Sequence, residues 1–89
     1  MKAGGDQAAA SPVVYDLYAG GAELYTAIGR RVRSIRRVRQ LTQQDLAESI
    51  QRERTSVANI EAGRQRFPVH VLYDLAAALG VSPSELLPD

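Results

Sequence analysis

Apolar residues along this chain recur every three or four positions, and no stretch alternates long enough to argue for a strand. Leu24, Ile28, Val32 and Ile35 form one such row, with Arg30, Arg31, Arg33, Arg37 and Arg39 around the rest of the circumference. The pattern predicts an amphipathic helix over residues 22–39, starting after Gly20-Gly21. Thr42 followed by Gln43-Gln44-Asp45 has the layout of a capping box, with Asp shorter than the usual Glu. The helix it opens carries Leu46, Ala47 and Ile50 on one face. A third helix over residues 54–62 turns Val57 and Ile60 inward and stops at Gly63.

Pro68 is suited to the first turn of a fourth helix, which carries Leu72, Leu75, Ala76 and Leu79 and ends at Gly80. Ser82, Pro83 and Glu85 open a short fifth helix with Leu86 and Leu87 inward. The link at residues 50–53 is too short for antiparallel packing and predicts a steep crossing of the second and third helices. The expected architecture is therefore all-α, a compact five-helix domain over residues 22–89. Residues 1–21 form an N-terminal extension. In it Gly4-Gly5 and Ala8–Ala10 read as a flexible lead, and Ser11-Pro12 as the start of a short helix over 12–19. Tyr15, Tyr18 and Tyr25 cover the domain's own apolar surface in one reading and form a partner surface within residues 1–25 in the other.

Eighty-nine residues suffice for one domain. The net charge of +1 hides a strong segregation. Residues 30–66 hold ten Arg against Asp45, Glu48, Glu53 and Glu61, whereas the segments on either side are net acidic. That distribution points to a polyanionic partner for the middle third, against the plainer reading of a solvated helix face. The chain has no cysteine, and His70 is its one histidine, so neither a metal site nor a cofactor is expected. His70 has no nucleophile turn near it, and neither a phosphate-binding Gly-rich loop nor a carboxylate cluster is present, so an enzyme is not expected. Residues 1–12 do not read as a secretory signal, and no apolar run approaches the roughly 20 residues of a membrane span. The sequence reads as a soluble, cytoplasmic protein without an inducer-binding second domain.

Residues 41–64, LTQQDLAESIQRERTSVANIEAGR, resemble the helix-turn-helix of the Xre/Cro family, which includes the lambdoid phage repressors. The likeness begins at Ile28-Gly29-Arg30-Arg31-Val32-Arg33-Ser34-Ile35-Arg36. It continues through Asp74-Leu75-Ala76-Ala77-Ala78-Leu79-Gly80-Val81 and Ser84-Glu85-Leu86-Leu87. About 60 of the 89 residues fall in one colinear register.

The resemblance implies a repressor that binds double-stranded DNA as a homodimer, with the third helix in the major groove and half-sites about one helical turn apart. Arg54, Thr55 and Asn59 match the base-reading positions: Arg54 for guanine O6 and N7, Asn59 for adenine, Thr55 for a thymine methyl or a phosphate. Gln43 matches a phosphate-holding residue at the start of the second helix, where unpaired N–H groups and the helix dipole also favour an anion. Ser56, Arg64, Arg66 and Arg52 are further phosphate candidates, adding affinity and salt dependence with little sequence information. Arg36 and Glu61 match an ion pair that ties the first helix to the third and stand outside the base-reading set.

Two positions depart from the family pattern. Gln51 stands where many relatives have Gly, which implies a left-handed backbone carried by a residue with a Cβ. Phe67 replaces a basic or polar residue and is expected to pack on the fourth helix rather than enter a minor groove. In the family the last helices supply the twofold contact, and Leu79, Val81, Leu86 and Leu87 are the apolar residues available for it. The alternative function is that of an antitoxin or developmental regulator whose main activity is binding a protein partner through residues 1–25.

Overall fold

The computed structural model describes the backbone of residues 12–88 and the side chains of residues 21–88. Four α-helices, α1 (Pro12–Val38), α2 (Gln43–Ser49), α3 (Arg54–Glu61) and α4 (Val69–Leu79), are followed by a 3-10 helix at Pro83–Leu86. No strand occurs among the described residues. The leading segment with Gly4-Gly5 and Ala8–Ala10 lies outside the described residues, as do the side chains of Tyr15 and Tyr18.

The first helix departs from the expectation. It does not start after Gly20-Gly21 but runs through both glycines from Pro12. A glycine inside a helix costs only about 1 kcal/mol relative to alanine, which a 27-residue helix tolerates. Gly21 also has a packing role: a Cβ there would stand 2.9 Å from Arg66 Nη1. The glycine pair that reads as a boundary is, at position 21, a seat for another side chain.

The helix ends follow local chemistry. At the start of α2, Thr42 Oγ1 accepts from Asp45 N at 2.9 Å, and Asp45 Oδ2 accepts from Thr42 N at 2.9 Å, so the short carboxylate does reach back. Gly80 terminates α4 in the left-handed region, at φ 73°. At the 3-10 helix Glu85 Oε2 accepts from Ser82 N at 3.0 Å. That element is a single four-residue turn, so Leu87 falls beyond it on extended backbone and is exposed, where the sequence pattern predicts an inward side chain.

The core is shared by every element. Ile28 and Val32 of α1 meet Leu46 and Ala47 of α2, Val57 and Ile60 of α3, Val71, Leu72, Leu75, Ala76 and Leu79 of α4, and Leu86. Phe67 is buried and packs edge-on against Tyr25 of α1, with ring centroids 4.9 Å apart and Tyr25 Oη donating to Phe67 O at 3.1 Å. Two arginines of the α1 segment hold the C-terminal end: Arg39 Nε donates to Leu79 O at 2.9 Å and Arg31 Nη1 to Glu85 O at 3.0 Å. Part of the basic face of this segment therefore satisfies helix-end carbonyls instead of facing a partner.

The contact that positions α3 is made by backbone. A Cβ on Gly29 would lie 2.2 Å from Ile60 O and 2.8 Å from Glu61 O, so α1 crosses the end of α3 at a distance only glycine permits. Just beyond, Gly63 has φ 75° and turns the chain against Thr26. Both glycines serve one purpose: they set α3 hard against α1.

Candidate nucleic-acid interface

Between α2 and α3 the chain turns through Ile50–Glu53. Gln51 has φ 58°, the left-handed region, without being glycine. Arg52 N then donates to Ala47 O at 2.8 Å, which locks the turn to α2. A second such residue, Gln40 at φ 61°, follows α1, and nothing in the sequence around it signals the turn.

α3 is sharply two-sided. Val57, Ile60 and Glu61 are buried, while Arg54 and Thr55 are exposed and Ser56 and Asn59 half-buried. Beneath the exposed side lies a charged pair. Arg36 Nε donates to Glu61 Oε2 at 2.6 Å and Arg36 Nη2 to Glu61 Oε1 at 3.1 Å, while Arg36 Nη1 reaches Leu41 O at 2.7 Å. Both residues are buried, so the two-point geometry and the extra carbonyl are what make the desolvated charges tolerable.

Gln43 extends this pair to the surface. Its Nε2 donates to Glu61 Oε1 at 3.1 Å, and its Oε1 accepts from Arg54 Nη1 at 3.3 Å. Gln43 is thus bonded on both ends of its amide. Further along α3, Asn59 Oδ1 accepts from Arg64 Nε at 3.3 Å and Nη2 at 3.2 Å. With its oxygen so occupied, Asn59 has only Nδ2 left to offer outward, whereas the two-point contact to adenine requires that oxygen as an acceptor. Gln65 Nε2 donates to Ser56 Oγ at 3.1 Å. Gln65 does not stand out in the sequence; its one signal is its place between Arg64 and Arg66 after the glycine turn.

The remaining candidates divide. Arg52 is half-buried in the turn beside α3, and Arg64 is exposed on the Asn59 side of that helix. Arg66 points elsewhere: its guanidinium stacks over the Tyr25 ring, 5.7 Å from the centroid, and lies against Gly21 of α1. His70 is exposed on α4. At the start of α2 the Thr42 backbone N–H, and after it the nearby Thr42 hydroxyl, hold the Asp45 carboxyl below its ordinary pKa, so that helix end already carries a negative charge. Positive charge on this face therefore comes from arginine side chains more than from the helix end.

The geometry has known counterparts. Residues 27–87 match the family model described as a helix-turn-helix domain. Over 60 residues, 67% of this chain, the sequence is 37% identical to the immunity repressor protein of Bacillus phage phi105. The chain spans 42% of the length of that relative. Among solved structures, the restriction-modification controller protein C.AhdI from Aeromonas hydrophila aligns with TM-score 0.68 at 30% identity, over 71% of this chain and 96% of that one. The DNA-binding domain of BldD aligns equally well, TM-score 0.68 at 30% identity, over 75% of this chain and 97% of its own. With the two-sided α3, the tight α2–α3 turn and this extent of agreement, the chain belongs to the helix-turn-helix domain family, in its phage-repressor-like form.

Proposed function

We propose that this protein reads double-stranded DNA in a sequence-specific manner and regulates transcription, as a repressor acting as a homodimer. The observation that carries the reading is the division of α3. Its inner side is fixed by backbone contact to α1 and by the core, and its outer side presents Arg54 and Thr55 free to meet base edges. Arg54 supplies the two donors that guanine O6 and N7 accept, and Thr55 a methyl and hydroxyl one position on. Asn59 contributes Nδ2 and orients Arg64, while Ser56, Arg52 and Arg64 would hold phosphates on either side, with Gln43 adding at most the one Nε2 hydrogen that Glu61 does not take. Arg66 contributes at longer range, from its seat on Tyr25.

A twofold contact has surface available on the side of α1 and the 3-10 helix. Leu79 and Leu86 are consumed by the core, but Val38 and Leu87 are exposed, and Ile35 and Val81 are only half-buried. The related immunity repressor and controller protein are regulators by name, and the BldD domain is DNA-binding, which supports the same assignment here.

Binding to DNA from upstream of the protein's own gene, and to a scrambled duplex, across a salt series tests the reading. Specific binding should outlast the scrambled control as salt rises, and Arg54→Ala should reduce it by about 1–3 kcal/mol. Arg64→Ala should weaken both duplexes alike and lower the salt slope by about 1. Binding that vanishes equally on both duplexes would leave only a basic surface. The competing role, capture of a protein partner through residues 1–25, is separated by deleting residues 1–21. DNA affinity that survives unchanged while a co-purifying protein is lost would make the extension a partner surface.

A further inference from the structure

The Arg36–Glu61 pair does more than tie two helices together. We infer that Glu61 fixes which way round the Gln43 amide sits, and through it the aim of Arg54, making a buried carboxylate a positioning residue for base recognition. The inference rests on the proposed DNA-reading role of Arg54.

A glutamine amide has an accepting end and a donating end, and at a solvent-exposed site it can present either one. Here the choice is forced. Glu61 Oε1 is a carboxylate oxygen that only accepts, and it lies 3.1 Å from Gln43 Nε2. The donating end is thereby turned inward and the oxygen outward, where it accepts from Arg54 Nη1 at 3.3 Å. Reversal of the amide would set oxygen against carboxylate on the inside and donor against donor on the outside. Arg36 makes the arrangement durable. Its two bonds to Glu61, at 2.6 and 3.1 Å, hold that carboxylate in one orientation where only 7% of the residue is exposed.

The effect falls on Arg54. An exposed arginine samples many rotamers, and ordering it on binding reduces affinity. Held through one N–H by Gln43, its side chain is ordered beforehand, with four further N–H donors from which to serve the two guanine acceptors. This role is separable from a phosphate contact by Gln43. A phosphate contact strengthens binding to every sequence, whereas positioning of Arg54 strengthens only the sequence that Arg54 reads.

The test begins with a duplex selected by the protein from a random pool, measured against its scrambled counterpart. Gln43→Leu should lower the selected-to-scrambled affinity ratio by about 5- to 10-fold, the size of a coupling between contacting side chains. In an Arg54→Ala background the same substitution should leave the ratio unchanged. Glu61→Gln should lower the ratio by a similar factor when Gln43 is intact and should add nothing in the Gln43→Leu background, whatever it does to the melting temperature. Equal weakening of both duplexes by Gln43→Leu, or the same fall in ratio without Arg54, would overturn the inference. A ratio that Arg54→Ala itself leaves untouched, or a pool that enriches no sequence, would instead remove the DNA reading beneath it.

Discussion

Arg54 and Gln51 stand three positions apart at the turn, and they differ in what they do for the protein. Among the described residues Arg54 is exposed and bonded through Gln43, so its loss should be felt in binding rather than in stability. Gln51 holds a backbone conformation that costs a residue with a Cβ roughly 1–2 kcal/mol. Gln51→Gly should therefore stabilise the domain by about 1 kcal/mol, read as a rise of several degrees in the melting temperature. DNA affinity should not change, since the side chain lies outside the reading face. The strain at 51 is legible because the resemblance places a glycine there; the same strain at Gln40 is not, because Arg39-Gln40-Leu41 carries no turn residue. Arg66 has a second role that its place beside Arg64 does not signal: its guanidinium lies over a tyrosine ring 41 positions earlier in the chain.

At the scale of elements, the joint between α1 and α3 is the most demanding contact. Gly29→Ala places a Cβ 2.2 Å from Ile60 O, and since the obstacle is backbone the helices must separate. We expect a loss of about 1–3 kcal/mol or more in chemical denaturation, with specific DNA binding reduced further as α3 shifts. The caps make a second prediction. Thr42 and Ser82 hydrogen bonds depress the pKa of Asp45 and Glu85, so the unfolded chain binds more protons than the folded one in the acid range. Their stabilisation is present above the ordinary carboxylate range and is lost as pH falls through the lowered values. Melting temperatures measured down an acid series should fall in that window, and Asp45→Asn should blunt the fall. Both caps can be read from Thr42-x-x-Asp45 and Ser82-x-x-Glu85, because capping is decided within four residues. The length of α1 cannot be. A glycine pair signals a helix end only when nothing packs on it, and what packs on Gly21 comes from residue 66.

For the molecule as a whole, most of the core follows from apolar periodicity, although Leu24 and Leu87 are exposed, whereas the surface is only partly legible. Ten arginines between residues 30 and 66 suggest a continuous basic region. In the fold Arg36 is buried in an ion pair, Arg31 and Arg39 close the C-terminal turn, and Arg66 lies on Tyr25. Near α3 the arginines outside these contacts are Arg52, Arg54 and Arg64. A homodimer would double that set, and sedimentation of the free protein should show two protomers at micromolar concentration. Val38→Asp with Leu87→Asp should shift it to one while leaving the fold's helical signal intact. A monomer before substitution, or a dimer after it, would place the twofold contact elsewhere.

The glycine joint also shapes how this chain can change over generations. Because α3 is anchored through its backbone, through Val57 and Ile60, and through Glu61, the frame makes no use of the Thr55 side chain and touches that of Arg54 only through Gln43. The outward positions are then free to vary while the scaffold stays the same. A lineage built on this chain can acquire new target sites by exchanging two or three surface residues, provided positions 43 and 54 change together.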